Sequence, residues 1–351
     1  MKKRMIHFFV GVCLLAFAAA CGQTDDPADE ARQEAAPKRE VIELNYSIFF
    51  PPAHVHNKAA EAWAREIESR TDNAVKINVY PGGTLTGAGE CYDGVVSGIS
   101  DIGMSVFAYT RGRFPVMEAV DLPMGYPSGM TATRVANDFY QQVKPKELED
   151  VKVLYLHAHG PGLLHTKRPV NTLDDLRGMQ IRSTGLSAKM VGALGATPVA
   201  MPQGDTYEAL QKGVVDGTFA PMETLKGWRQ AEVISSTTNC YEIGYTTAMF
   251  VVMNKARFER MPEDIQRIFM EVSEQWIEVQ GRVWDEADED GLAYTLETGN
   301  QIIDLSDEQH ALWKKAIEPV IDEYIEVSER RGLGGQKSVD LLRELIDRHS
   351  N

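Results

Sequence analysis

The segment Asp174–Gly217, DDLRGMQIRSTGLSAKMVGALGATPVAMPQGDTYEALQKGVVDG, reads as strand, loop, helix, strand, helix, with one arginine at a strand end. Met179-Gln180-Ile181 form a short β-like run after Gly178, Ser183-Thr184-Gly185 break it, and Ser187–Leu194 form a small-residue helix closed by Gly195. Arg182 is thereby set beside a helix start. Ligands of open α/β sheets sit outside the carboxyl ends of strands, where helix N–H groups favour an anion. A guanidinium adds a flat, permanently charged fork that matches a carboxylate with two parallel hydrogen bonds. The plain alternative is a surface arginine in a salt bridge.

Working outward, residues before and after this segment alternate short apolar runs with amphipathic helices. Glu43–Ile48 predicts a strand, His56–Thr71 a helix with Ala60, Trp63, Ala64 and Ile67 at helical spacing, and Val75–Tyr80 a second strand. The loop Pro81–Gly89 is glycine-rich but lacks the Gly-Lys-Ser/Thr ending of a phosphate-binding loop. Glu90–Ser97 predicts a helix ended by Gly98, and Ile102–Phe107 a strand whose end carries Phe107 and Tyr109, two aromatics suited to a cleft wall or to the core. Val151–His159 is an apolar strand expected to cross into a second lobe, followed by the runs at 163–166, 197–201 and 215–220. Asp205 with Glu208 reads as a capping box for a helix over 206–212, and Ser306 with Gln309 as another for the helix carrying Leu312, Ile317, Val320 and Tyr324. Thr246–Met253 is long enough to return the chain to the first lobe. After Pro262, Ile265, Ile268, Phe269, Val272, Trp276, Val279, Val283 and Ala287 recur at three- and four-residue steps, which periodicity alone reads as a long core helix.

The amino terminus carries Lys2, Lys3 and Arg4 before an apolar run from Met5 to Ala20, the pattern of a signal peptide over 1–20. Ala18-Ala19-Ala20-Cys21 resembles a lipobox with alanine in the place of the usual leucine, so Cys21 is the expected lipidation site; a plainly cleaved signal peptide is the alternative. The run is too short for the ~20 apolar residues of a membrane span. Residues 22–40 hold no large apolar side chain and predict a flexible tether. The net charge of −15 argues against nucleic acid, which needs a basic face. It does not exclude a small anion, because salt screens a diffuse surface field within about 8–10 Å. Of four cysteines, Cys13 and Cys21 lie in or at the end of the leader; Cys91 and Cys240 are expected as buried thiols rather than as a disulfide.

Gly178-x-x-Ile181-Arg182, Leu194-Gly195-Ala196-x-Pro198 and Tyr207-x-Ala209-Leu210-Gln211-x-Gly213-Val214-Val215-Asp216-Gly217 resemble the substrate-binding proteins of TRAP transporters, the DctP-like family. The resemblance runs from about 42 to about 345 and includes PPAHVHNKAAEAWAREIESRT and VYPGGTLTGAGECYDGVVSGISDIG. It implies an α/β, two-lobe periplasmic binding protein fold with chain crossings between lobes and a long helix spanning both. On that pattern lobe I comprises 41–158 with 247–290, and lobe II 159–246 with 291–351. The resemblance makes Arg182 the clamp of a substrate carboxylate and turns Phe49, Phe50 and His54 toward the cleft, with Glu90 at a helix start; Phe107, Tyr109, His165, Glu223 and Tyr245 complete the candidate substrate site. Gly162 stands where the family often has an arginine, and Ala220 where it often has an asparagine. Both changes remove polar recognition, which points to a ligand with one carboxylate and a bulky or apolar remainder.

The implied function is capture of a small organic acid in the periplasm and delivery to the small and large membrane subunits of a TRAP transporter, by a receptor held to the membrane through a lipid anchor. A lipid-anchored sensing ectodomain and, behind it, a periplasmic enzyme are the alternatives. No Gly-x-Ser-x-Gly or His-Glu-x-x-His is present. His54-x-His56 and His157-x-His159 have metal-compatible spacing, but nothing nearby completes a ligand set, and the acidic run at 285–290 lacks the loop spacing and glycine of a calcium site. No metal and no cofactor is expected.

Overall fold

A computed structural model describes residues 40–350. The expected signal peptide, Cys21 and all but the last residue of the expected tether lie outside the described residues. Within them the chain first lays down β1 (Ile42–Ile48), α1 (Val55–Arg70), β2 (Val75–Tyr80), α2 (Cys91–Ser97), β3 (Ile102–Val106), α3 (Gly129–Val143) and β4 (Val151–Ala158). It continues with β5 (Leu163–Thr166), β6 (Gln180–Ser183), α4 (Gly185–Ala193), β7 (Thr197–Ala200), α5 (Gln203–Lys212), β8 (Gly217–Ala220), α6 (Glu223–Gly227) and β9 (Ser236–Asn239). The last stretch holds β10 (Ala248–Asn254), α7 (Lys255–Glu259), α8 (Glu263–Glu297), β11 (Gln301–Asp304), α9 (Asp307–Arg330) and α10 (Gly335–His349). The strands form two sheets, β2-β1-β3-β10-β4 and β11-β9-β5-β8-β6-β7. This is the expected α/β, two-sheet architecture.

β10 shows why the chain returns to the first sheet. Its sequence AMFVVMN is apolar through six buried residues, which suits a strand covered on both faces. Ala248, Phe250 and Val252 enter a core shared with α2, α3 and α10. Met249, Val251 and Met253 enter the opposite core, built with α1 and the first half of α8. The period of two thus feeds two hydrophobic layers from one strand, which runs antiparallel to both β3 and β4. The second sheet has its own core, to which α4, α5, α6 and α9 contribute. Cys91 and Cys240 are free thiols buried in different cores.

α8 runs for 35 residues and packs on α1, α3 and β4 of the first sheet and on α6 of the second. Its buried face begins as the periodicity predicts, with Ile265, Phe269 and Val272, then shifts to Gln280, Gly281, Trp284 and Gly291, leaving Val279 and Val283 only half-buried. Small residues take over because the helix is squeezed between neighbours: a Cβ at Gly281 would meet Met130, and one at Gly291 the backbone of Met222 and Glu223. From the same stretch Asp285 accepts the Gly129 N–H at the start of α3 (2.7 Å), and Asp288 accepts the Glu223 N–H at the start of α6 (2.7 Å). One helix therefore caps a helix of each layer.

Three expectations are corrected. α5 begins at Gln203 with Pro202 as its N-cap, so Asp205 and Glu208 are not its capping box; a proline before the first turn already fixes the backbone entry. Ser306 does cap α9, accepting the Gln309 N–H, but the Gln309 side chain accepts the Leu173 N–H instead of closing the box. Residues 291–351 do not all belong with the second sheet: β11 pairs with β9, whereas α10 packs on α3, placing Val339, Leu342 and Leu345 in the core under the first sheet.

The close approach at Gly291 is testable. Gly291→Ala should cost about 1–3 kcal/mol from overpacking against backbone that cannot swing aside, outweighing the ~1 kcal/mol gained in helix propensity. Gly192→Ala on α4, with nothing within 4 Å of its Cβ, should instead gain up to about 1 kcal/mol. Urea unfolding of the two variants measures both; equal stabilities would contradict the packing of α8 on α6.

Candidate functional site

β6 carries Arg182 between β8 and β7, paired with Thr218 and Val199. The strand ends at Ser183, and Thr184 with Ser187 forms a capping box that starts α4 at once. Arg182 is only 4% exposed. Its Nε and Nη2 donate to the Met201 carbonyl at 3.1 and 2.9 Å, which fixes the guanidinium plane and leaves the Nη1–Nη2 edge for another acceptor. Among the described residues no carboxylate pairs with it. A cation buried without a counter-charge is costly, so an anion entering here meets a preorganised partner.

Arg182 borders a cavity between the two sheets. Phe49 and Phe50 follow β1, Tyr109 follows β3, and Met249 lies on β10, so the first sheet contributes through its strands and their carboxyl-side loops. Trp284 enters from α8, and Trp228 and Tyr245 from the second sheet's connections. Phe49 stacks near Trp228 at 6.2 Å and meets Tyr109 edge-on at 5.8 Å. Tyr109 also joins the layers, accepting the Gln203 N–H at 3.0 Å through its hydroxyl. The Gln203 side chain borders the cavity and its buried Nε2 has no hydrogen-bond partner.

Of the candidate residues, Arg182, Phe49, Tyr109, Glu223 and Tyr245 come together around this cavity. His54 lies behind Glu223, its Nε2 2.6 Å from Glu223 Oε1, and borders an outer groove instead. Three candidates are corrected. Glu90 is exposed at the N-cap of α2, away from the cavity. Phe107 opens a single turn of 3₁₀ helix, which sends it into the core against Phe114 and Phe250 while Tyr109 reaches the cleft. His165 is spent inside the second sheet, its ring nitrogens contacting Thr237 Oγ1 (2.8 Å) and the Ala220 carbonyl (3.0 Å).

Trp228, His159, Thr184, Gln203 and Trp284 were not singled out for the site by the sequence. Trp228 follows a five-residue helix and belongs to no periodic pattern; Trp284 falls within a helix whose apolar stripe passes beside it. Gly162 leaves no vacancy either: a Cβ there would overlap the Tyr245 ring. The missing side chain admits an aromatic wall, and the Tyr245 hydroxyl is tied to the Phe219 carbonyl at 2.8 Å. Among the described residues no group of three or more His, Cys, Asp or Glu could hold a metal ion, and no helix there is long and apolar enough to cross a membrane.

Two α/β layers sharing a cavity with one preorganised cation define a solute-binding protein. The family model of bacterial extracellular solute-binding protein, family 7, matches residues 46–327, and the chain belongs to that family as a DctP-like TRAP periplasmic solute receptor; it is a transport receptor and not an enzyme. The C4-dicarboxylate-binding periplasmic protein DctP of Rhodobacter capsulatus is 26% identical over 296 residues, covering 82% of this chain and 87% of that protein. A marine metagenome TRAP solute-binding protein specific for aromatic acid ligands, solved with meta-hydroxyphenylacetate, is 30% identical with a TM-score of 0.85, covering 88% of this chain and 100% of that one. The Rhodoferax ferrireducens TRAP protein, solved with copurified benzoate, is 29% identical with a TM-score of 0.84, covering 88% and 99%.

Three histidines, His56, His157 and His159, cluster around Trp284. His56 and Trp284 lie 3.7 Å apart between centroids, and Trp284 Nε1 donates to His157 Nδ1 at 3.0 Å. Burial holds His157 down at about 3, and burial with the nearby Arg182 charge outweighs the Gly160 carbonyl contact to hold His159 at about 4. Burial likewise lowers His165 to about 4. The unfolded chain takes up protons on these residues as the pH falls through about 6.5, while the folded chain does not until about 4 or below, so they withdraw stability over that window. Asp121 and Asp288, held well above the carboxylate range chiefly by burial, act with the opposite sign. Imidazole NMR separates the two: the His157, His159 and His165 rings should remain neutral at pH 5.5, and a midpoint near 6.5 for any of them would contradict its burial.

Proposed function

We propose that this receptor captures a small aromatic monocarboxylate, with Arg182 clamping the carboxylate and the ring lying among Phe49, Trp228 and Tyr245. The observation that carries this reading is a guanidinium 4% exposed, braced by a backbone carbonyl and unpaired with any acid among the described residues, inside an aromatic-walled cavity. The free edge of Arg182 supplies two parallel donors, and the unpartnered Gln203 Nε2 is a candidate third. The aromatic faces supply apolar contact and offset or edge-on ring packing. Two similar TRAP receptors solved with meta-hydroxyphenylacetate and with benzoate support the same ligand class.

Lobe I is 41–158 with 247–290, and lobe II is 159–246 with the chain after 291 up to α9, α10 rejoining lobe I. Binding closes them like a clamp about the crossings near 159–162 and 245–247. Closure excludes water from the Arg–carboxylate pair, and the closed form passes the acid to the small and large membrane subunits. The receptor is exported and held at the membrane through a lipid on Cys21.

Titration of benzoate against thermal stability tests the clamp. Arg182→Ala should abolish the ligand-induced rise in Tm, with affinity falling about 30-fold or more, while its ligand-free stability holds or improves because a buried unpaired charge is gone. Arg182→Lys should also bind poorly, since an ammonium cannot reproduce the fork. An Arg182→Ala protein that binds benzoate as tightly as its parent would refute the clamp.

A further inference from the structure

The clamp leaves a second charged group of the cavity unused. Glu223 is 2% exposed and opens α6. Its Oε1 stands 2.6 Å from His54 Nε2, a close contact whose angles do not make a regular hydrogen bond. His54 Nδ1 accepts the His56 N–H at 3.3 Å, which places the ring proton on Nε2, toward the carboxylate. Gly227 makes this pair possible, because a Cβ there would strike both Glu223 Oε1 and His54 Nε2. The Glu223 N–H is held in turn by Asp288. The Glu223 backbone is thus held by Asp288, while neither oxygen of its carboxylate has a hydrogen bond among the described residues.

Arg182 and Glu223 border one cavity yet form no ion pair with each other, so a ligand can lie between them. An acceptor-only carboxylate in an enclosed site is satisfied by a ligand donor and repels a second ligand carboxylate. Resting on the aryl-acid reading above, we infer that Glu223 is a specificity-determining residue. It selects ligands that bring one carboxylate to Arg182 and a hydroxyl or N–H donor to the Glu223 carboxylate, and it rejects ligands with a second carboxylate. His54 is its positioning residue.

Calorimetric titration of the full-length receptor with benzoate, the three monohydroxybenzoates and the three benzenedicarboxylates tests this directly. At least one hydroxybenzoate should bind about tenfold or more tighter than benzoate, the scale expected when a buried acceptor is satisfied rather than left unpaired, and no dicarboxylate should exceed benzoate. Glu223→Gln should narrow the hydroxyl preference, read as the ratio of hydroxybenzoate to benzoate affinity, at least threefold and raise dicarboxylate affinity relative to benzoate. Hydroxybenzoates all within threefold of benzoate on the unaltered protein would overturn the assignment without recourse to any variant, as would an unchanged ligand ranking in Glu223→Gln. If no aryl monocarboxylate binds the unaltered protein, the aryl-acid reading itself fails and takes this one with it.

Discussion

A guanidinium buried without a counter-charge sets the terms for the rest of the site. The Met201 carbonyl engages two of its donors but cannot cancel its charge. Burial in a low-dielectric interior makes that residual charge costly, and the proposed ligand carboxylate would offset the cost with charge-assisted hydrogen bonds. Neighbouring groups conform to this charge. His159, beside it, is kept neutral, which avoids a second cation. The nearest acid bordering the same cavity, Glu223, contacts His54 rather than Arg182, so the fork stays available.

Such a site works only if the two layers meet with small tolerance, and α8 supplies the common reference. Asp285 caps α3 and Asp288 caps α6 from the same face of one helix, three residues apart, a spacing that puts both on one side. Gly281 and Gly291 let those partners approach within backbone contact. Trp284, between them, borders the cavity and receives the histidine cluster on its rings. The second half of the helix has therefore exchanged the large apolar residues of a core for caps, glycines and one tryptophan.

Much of this was legible in the sequence. Arg182 at a strand end before a capped helix, the β-α-β opening and the long helix all follow from local periodicity and breakers, and the family resemblance supplied the two-lobe topology. What escaped was tertiary. Phe107 and Tyr109 are two residues apart and equivalent by strand alternation, but a 3₁₀ turn rotates one into the core. His165 has the composition of a ligand contact, yet the sheet consumes both its nitrogens. α10 returns to the first layer because its apolar face, Val339, Leu342 and Leu345, completes a core that begins at Cys91, which no local pattern records. Trp228 stands alone in a loop, where aromatic placement depends on the opposite layer.

Gly162 shows how the absence of a side chain makes room for an aromatic one. In sequence it reads as an arginine removed and space gained. In the fold the Tyr245 ring fills the place where a Cβ would lie, and its hydroxyl is drawn away to the Phe219 carbonyl. The cavity thus has a ring face on that side. With one cation and one carboxylate among the residues that border it, the site offers a ligand the rings of Phe49, Trp228 and Tyr245 rather than further ion pairs.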